Sequence, residues 1–163
     1  MSSSQQLTGF PGMLRPFKEY LESANLPSGA EVVFFGLPGT CLPFVELLCY
    51  AVRTLPITPV FVPRLDISNA KILINIEGFG FQIGEQARIS NPAILVMMGG
   101  LSMPVSGIAA SDAARIVQEY SDASTIGICF MHMFEKTGWT SEISFDLLID
   151  AQVSVDVIRL PLP

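Results

Sequence analysis

The sequence predicts a single α/β domain, a three-layer sandwich. A mostly parallel sheet carries helices on both faces and ends in an antiparallel edge strand. Short continuous apolar runs alternate with amphipathic stretches, which is the grammar of strands joined by right-handed helical crossovers. Of 163 residues, 50% are hydrophobic and only 15% charged, a composition that suits strands buried on both faces. The last apolar segment alternates strictly with polar residues, which marks a half-wet strand suited to a sheet edge. The length matches one domain. Residues 1–12 are expected as a flexible tail and 13–163 as the domain.

Each element has its own justification. Leu14, Phe17, Leu21 and Ala24 recur at helical spacing around Lys18, Glu19 and Glu22, so a first amphipathic helix is expected, with Pro16 in its first turn. Asn25 to Gly29 ends it. Glu31 to Phe35 is a buried strand, Gly36 to Thr40 a loop, and Pro43 to Arg53 a helix. Thr58 to Val62 is a second strand, and Pro59 places it at an edge or near a strand start. Ala70 to Ile76 is a third strand, Glu77 to Gly80 a turn, and Phe81 to Ile83 a hairpin arm. Ala93 to Met98 is a further buried strand. Ser111 and Asp112 cap a helix running to Tyr120, and Thr125 to Met133 is the next strand. Phe145, Leu147, Ile149, Ala151, Val153, Val155 and Val157 then share one parity, with Asp146, Asp150, Gln152, Ser154 and Asp156 on the other. Such a run is long for one strand, so a break near Asp150 is expected. A short helix over Ile143 to Ala151 is the rival assignment.

Charge excludes several functions. The net charge is −6, and no two of the nine Lys and Arg residues are adjacent. Nucleic acid and anionic membrane surfaces both demand clustered positive charge, so neither is an expected partner. The 23 uncharged residues between Arg88 and Asp112 are numerous enough to span a bilayer. Asn91-Pro92, Gly99-Gly100, Pro104 and Gly107 break them, and no transmembrane helix is expected. No basic region precedes an apolar N-terminal core, so no secretory signal is read. The three cysteines, Cys41, Cys49 and Cys129, form neither a disulfide framework nor a zinc motif. A reducing cytoplasm is the compartment this suits.

Chemistry is expected where loops leave the carboxyl ends of parallel strands. Four loops qualify: Gly36 to Cys41, Arg64 to Ser68, Gly99 to Gly107, and Phe134 to Thr140. In the first, Gly36 and Gly39 permit a close backbone approach. Thr40 is placed to cap the next helix through the Leu42 N–H, because Pro43 has none. Free amides and the helix dipole there would favour an anion, although no Walker motif is present. Gly99, Gly100 and Ser102 would complete a small anionic pocket. Cys41, at the first position of the helix, is placed where a thiol becomes reactive. His132, the only histidine, falls at a strand end on the same rim, so a Cys41–His132 nucleophilic dyad is conceivable. Each feature also has a plain structural reading: bare turns, a packed thiol and a hydrogen-bonded histidine. Cys49 and Cys129 read as packing residues, and Asp146, Asp150 and Asp156 as a solvated face. Trp139 reads as local packing. Gly78 to Gly84 misses the dinucleotide spacing by one residue.

The runs Pro92 to Pro104, Gly127 to Phe134 and Phe145 to Ala151 resemble an uncharacterised protein family of methanogenic archaea. The likeness covers most of the chain after about Gly29. It implies a Rossmann-like fold and a cytoplasmic archaeal protein. The family has no assigned activity, so the resemblance transfers no catalytic or binding residue and names no cofactor.

The leading expectation is therefore a domain that binds a small anionic or nucleotide-like ligand at the two glycine loops. A homodimeric interaction module, paired through the long final strand, is the second. A Cys41-dependent enzyme is the third.

Overall fold

A computed structural model describes residues 3–161 of the chain. Met1 and Ser2 of the expected tail and the last two residues of the expected domain, 162 and 163, lie outside the described residues. Seven strands form one sheet: β1 (Ala30–Gly36), β2 (Ile57–Pro63), β3 (Lys71–Ile76), β4 (Gly80–Gln86), β5 (Pro92–Met98), β6 (Ser124–Phe130) and β7 (Leu147–Ala151). Their order is β4-β3-β2-β1-β5-β6-β7. The run from β2 through β1, β5 and β6 to β7 is parallel throughout. β3 is antiparallel to both its neighbours, so it alone runs against the rest.

The helices are α1 (Gly9–Ser23), α2 (Leu42–Ala51), α3 (Ala110–Glu119), α4 (Met133–Lys136) and α5 (Trp139–Glu142). Alternate residues of β1, β2, β5 and β6 feed two separate cores. Val32 and Phe34 of β1, Ile94 and Val96 of β5, and Ile126 and Ile128 of β6 pack with Phe17 and Leu21 of α1 and Val45 and Leu48 of α2. Val33, Phe35, Leu95 and Met97 pack with Ala113 of α3, Phe134 of α4 and Trp139 of α5. Period-two alternation in doubly apolar strands is what lets one sheet serve two cores.

Several expectations need correction. The helix starts at Gly9, so residues 9–12, expected in the tail, belong to α1, and Pro16 lies inside the helix rather than in its first turn. Burial of Met13, Phe17 and Leu21 on one face offsets the missing N–H and the crowding at Pro16. Strand β2 is internal and not an edge, with Pro59 as its third residue, the other of the two expected placements. Its pairing with β3 is confined to Val60 and Phe61, so Pro59 lies outside that ladder. The capping residue of α3 is Ala109, without a side-chain bond, not Ser111 or Asp112. The antiparallel strand is β3, second from one edge. β7, expected to be antiparallel, is a parallel edge strand at the other end. It covers only Leu147–Ala151, which settles against the rival helix and shortens the expected strand. β6 stops at Phe130, because Met131 and His132 both turn left-handed, with φ of 55° and 60°.

Among the described residues, no helix is long and apolar enough to cross a membrane.

Candidate functional site

From β1 the chain moves outward in one direction to β2, whereas β5 returns to pair on the other side of β1. Strand order therefore reverses between β1 and β5, and crevices open beyond the carboxyl ends of strands at such a point. A cavity of about 150 Å³ lies there, and its wall includes Cys41, Phe44, Met98, Met103, Phe130 and Met133. The loops after β1, β5 and β6 thus meet on one rim, as the parallel reading requires. Thr40, Gly99, Gly100 and Ile128 complete the lining. Among the described residues, no charged side chain lines it.

The two glycine loops do meet, but their glycines serve the thiols. A Cβ on Gly36 would lie 2.6 Å from Cys41 Cβ, and one on Gly100 would lie 2.4 Å from Cys41 Sγ. On Gly99 it would lie 2.6 Å from Cys129 Cβ. These glycines make room for buried cysteine side chains and leave no cradle for a phosphate. Of the four candidate glycines, Gly36, Gly39, Gly99 and Gly100, only Gly39 has open space around it. Ser102 is buried and donates its hydroxyl to Gly99 O at 2.8 Å, so it closes its own 3₁₀ turn (Gly99–Ser102).

The start of α2 is equally occupied. Cys41 is the capping residue, without a side-chain cap, and Thr40 does not cap the helix. The Cys41 N–H donates to Leu37 O at 2.8 Å, and Phe44 and Val45 donate to Cys41 O, each at 3.0 Å. Pro43 has no N–H. Four of the five residues from Cys41 to Val45 therefore offer no free amide, and the anion site expected there keeps only Leu42 of these as a donor.

Cys41 is buried, and its thiol is 3.8 Å from Thr40 Oγ1. His132 belongs to a different cluster. Its ring Nδ1 contacts an Asp150 carboxylate oxygen and lies 4.0 Å from Glu135. Asp150 also accepts the His132 backbone N–H at 2.9 Å and lies 3.6 Å from Cys129 Sγ. The imidazole is thus engaged on the outer side of the β6–β7 corner, while Met133 beside it in sequence faces the cavity. The Cys41–His132 dyad is not formed. Burial, with Asp150 beside it, pushes the Cys129 thiol up to about 11. Burial, reinforced by Glu46, pushes Cys49 up as well. Both behave as packing residues, as expected.

The cavity's thioethers and aromatic rings escaped the sequence reading. Five of the seven methionines, Met97, Met98, Met103, Met131 and Met133, fall within 37 residues at the ends of two strands, and that clustering was the available signal. Arg64 was missed as well. Its N–H donates to Gly36 O at 2.7 Å and its guanidinium to Ser106 O, so it ties the loops after β1, β2 and β5 together. Nothing local marks a lone arginine for that role.

The family model described as "Uncharacterized protein conserved in archaea" matches residues 8–154. The chain belongs to the DUF2124 family. Similar chains come from methanogens. An uncharacterized protein of Methanocaldococcus jannaschii is 34% identical over 91% of this chain and 89% of its own length. One from Methanothermobacter thermautotrophicus is 32% identical over 98% of this chain and 99% of its own. A crystal structure of a protein of unknown function from M. thermautotrophicus superposes with a TM-score of 0.84 at 32% identity, covering 98% of both chains. For DUF2124 this supports an α/β fold with a seven-stranded, mostly parallel sheet.

Proposed function

We propose that this protein is a small-ligand-binding domain whose ligand is apolar rather than anionic. The carrying observation is the cavity at the strand-order reversal, walled by thioethers, aromatic rings and a buried thiol. Its position is the one Rossmann-like sheets use for ligands. Its chemistry differs from theirs, because most amides from Cys41 to Val45 are already bonded or absent and the lining carries no cation among the described residues. Methionine side chains adapt to irregular apolar shapes. Cavities of about 150 Å³ lined by apolar groups take up molecules of benzene size. The Thr40 hydroxyl and Cys41 thiol are the polar points available to orient a ligand.

The test uses benzene and, separately, inorganic phosphate and ATP, with thermal stability and methionine-methyl NMR as readouts. Benzene should raise the melting temperature and shift the methyl signals of Met98, Met103 and Met133. Met97 packs in the core on the opposite face and should stay unmoved. At a hundred times its dissociation constant a ligand adds about 2.7 kcal/mol. Stabilisation by phosphate or ATP with none by benzene would restore the anionic expectation and overturn this one.

A further inference from the structure

We infer that the C-terminal segment after β7 pairs with the β7 edge of a second copy of this chain, in an antiparallel two-fold arrangement centred on Gln152. The inference is independent of the cavity.

The segment leaves β7 without regular secondary structure and with no partner strand among the described residues. Val153, Val155, Val157, Ile158 and Leu160 are 54%, 74%, 79%, 80% and 79% exposed. Five large apolar side chains within eight residues are more than scattered surface hydrophobics. Val153, Val155 and Val157 keep the parity of Ile149, which packs in the α1–α2 core together with Leu147 and Ala151. The segment is thus written as a strand continuing the core-facing side of β7. β7 is also an edge strand. Ala151 O accepts from Met131 N–H and Val153 N–H points to Met131 Sδ, both towards β6. By the period of two, the backbone groups of Asp150 and Gln152 point away from β6, to the unpaired edge.

A second copy is the occupant because the sequence is complementary to itself in one register. With Gln152 opposite Gln152 of the partner subunit, the core-facing pairs are Leu147 with Val157, Ile149 with Val155, and Ala151 with Val153. On the other face Asp150 meets Ser154, and Leu148 meets Asp156. Centres one residue either way fail: at Ala151, Asp146 meets Asp156, and at Val153, Asp150 meets Asp156. Like charges directly opposite destabilise a ladder. A centre at Asp150 sets that carboxylate against its own copy, and a centre at Ser154 puts Arg159 against Ile149 inside β7, whereas the Gln152 centre puts it against Phe145, before the strand begins. Two tails and two β7 edges are engaged together, which moves the buried area towards the roughly 800 Å² per partner of a stable interface. The contact is isologous, so the assembly closes at two.

Sedimentation velocity on the full chain at about 50 µM should give a dimer, and Val155→Asp should return it to a monomer with an unchanged circular dichroism spectrum. Under mild oxidation Gln152→Cys should cross-link to a covalent dimer, since residues on the axis fall within disulfide reach. Val155→Cys, opposite Ile149, should not. The native cysteines are all buried and do not compete. A monomeric wild-type chain overturns the inference, as does a dimer indifferent to Val155→Asp. Cross-linking through position 155 instead of 152 overturns the register. A monomer captured by phosphatidylglycerol vesicles through this segment would assign the tail to a lipid surface instead.

Discussion

At the scale of single residues, the rim of the sheet is organised around the Cys41 side chain. Gly36, at the end of β1, and Gly100, in the 3₁₀ turn after β5, approach it, and both positions would collide with it if they carried a methyl group. Gly100→Ala should therefore destabilise the protein by about 1–3 kcal/mol, the usual cost of overpacking. Cys41→Ala removes the sulfur that the new methyl would strike. The two substitutions together should cost less than their sum, with a coupling of about 1 kcal/mol or more. Urea denaturation of the wild type, the two single variants and the double variant measures this, and strict additivity would mean that Gly100 is glycine for another reason. The same geometry explains why the site was misread from the sequence. A glycine that frees an amide for a ligand and a glycine that admits a neighbouring side chain look identical in one dimension. What separates them here is a contact between residues nearly sixty positions apart.

At the scale of elements, β1 and β5 were legible because each is a short apolar run bounded by Gly, Pro or Asn, and both match those runs closely. The ends were less legible. β6 stops where Asp150 captures the His132 N–H, and no signal near residue 130 announces that partner. The valines after Ala151 keep strand parity but pair with no strand among the described residues, so alternation alone overstated β7. The link between β2 and β3 carries a prediction of its own. Asp66 accepts bonds from the Ser68 N–H, the Ser68 hydroxyl and the Asn69 amide, closing the 3₁₀ turn Ile67–Asn69. The Ser68 hydroxyl, followed by the Asn69 amide, holds this carboxyl below its ordinary value. A depressed carboxyl pKa stabilises the fold above the unfolded-state value of about 3.9, and that contribution is lost as pH falls through the folded-state value. A carbon-detected NMR titration should place the Asp66 midpoint below about 3.9. Protection of the Ser68 amide from hydrogen exchange should fade over the same range. A midpoint at or above the unfolded value would show that the turn does not depend on the carboxylate.

At the scale of the whole molecule, two cores share one sheet, and the sharing has a thermodynamic consequence. Phe34 and Phe35 are neighbours in β1 yet belong to opposite cores, and the same alternation runs through β5 and β6. Neither core can lose its strands without dismantling the other, so the two should melt as one unit despite having different helices. Trp139, the only tryptophan, makes this measurable. It is buried in the second core and stacks on Phe134 at 5.3 Å, which in turn stacks on Phe145 at 5.3 Å. Its fluorescence therefore reports the face carrying α3, α4 and α5, whereas α1 and α2 supply most of the remaining helical signal in far-ultraviolet circular dichroism. In urea the two signals should change at the same midpoint and with the same slope, the mark of a two-state transition. The β3–β4 hairpin is the one part expected to open earlier, since Ile74, Ile76 and Ile83 remain partly exposed and β4 pairs only with β3. Hydrogen exchange would register that opening without moving the tryptophan. If instead the fluorescence changes at lower urea than the circular dichroism, the α4–α5 corner detaches on its own, and the sheet does not couple the two cores.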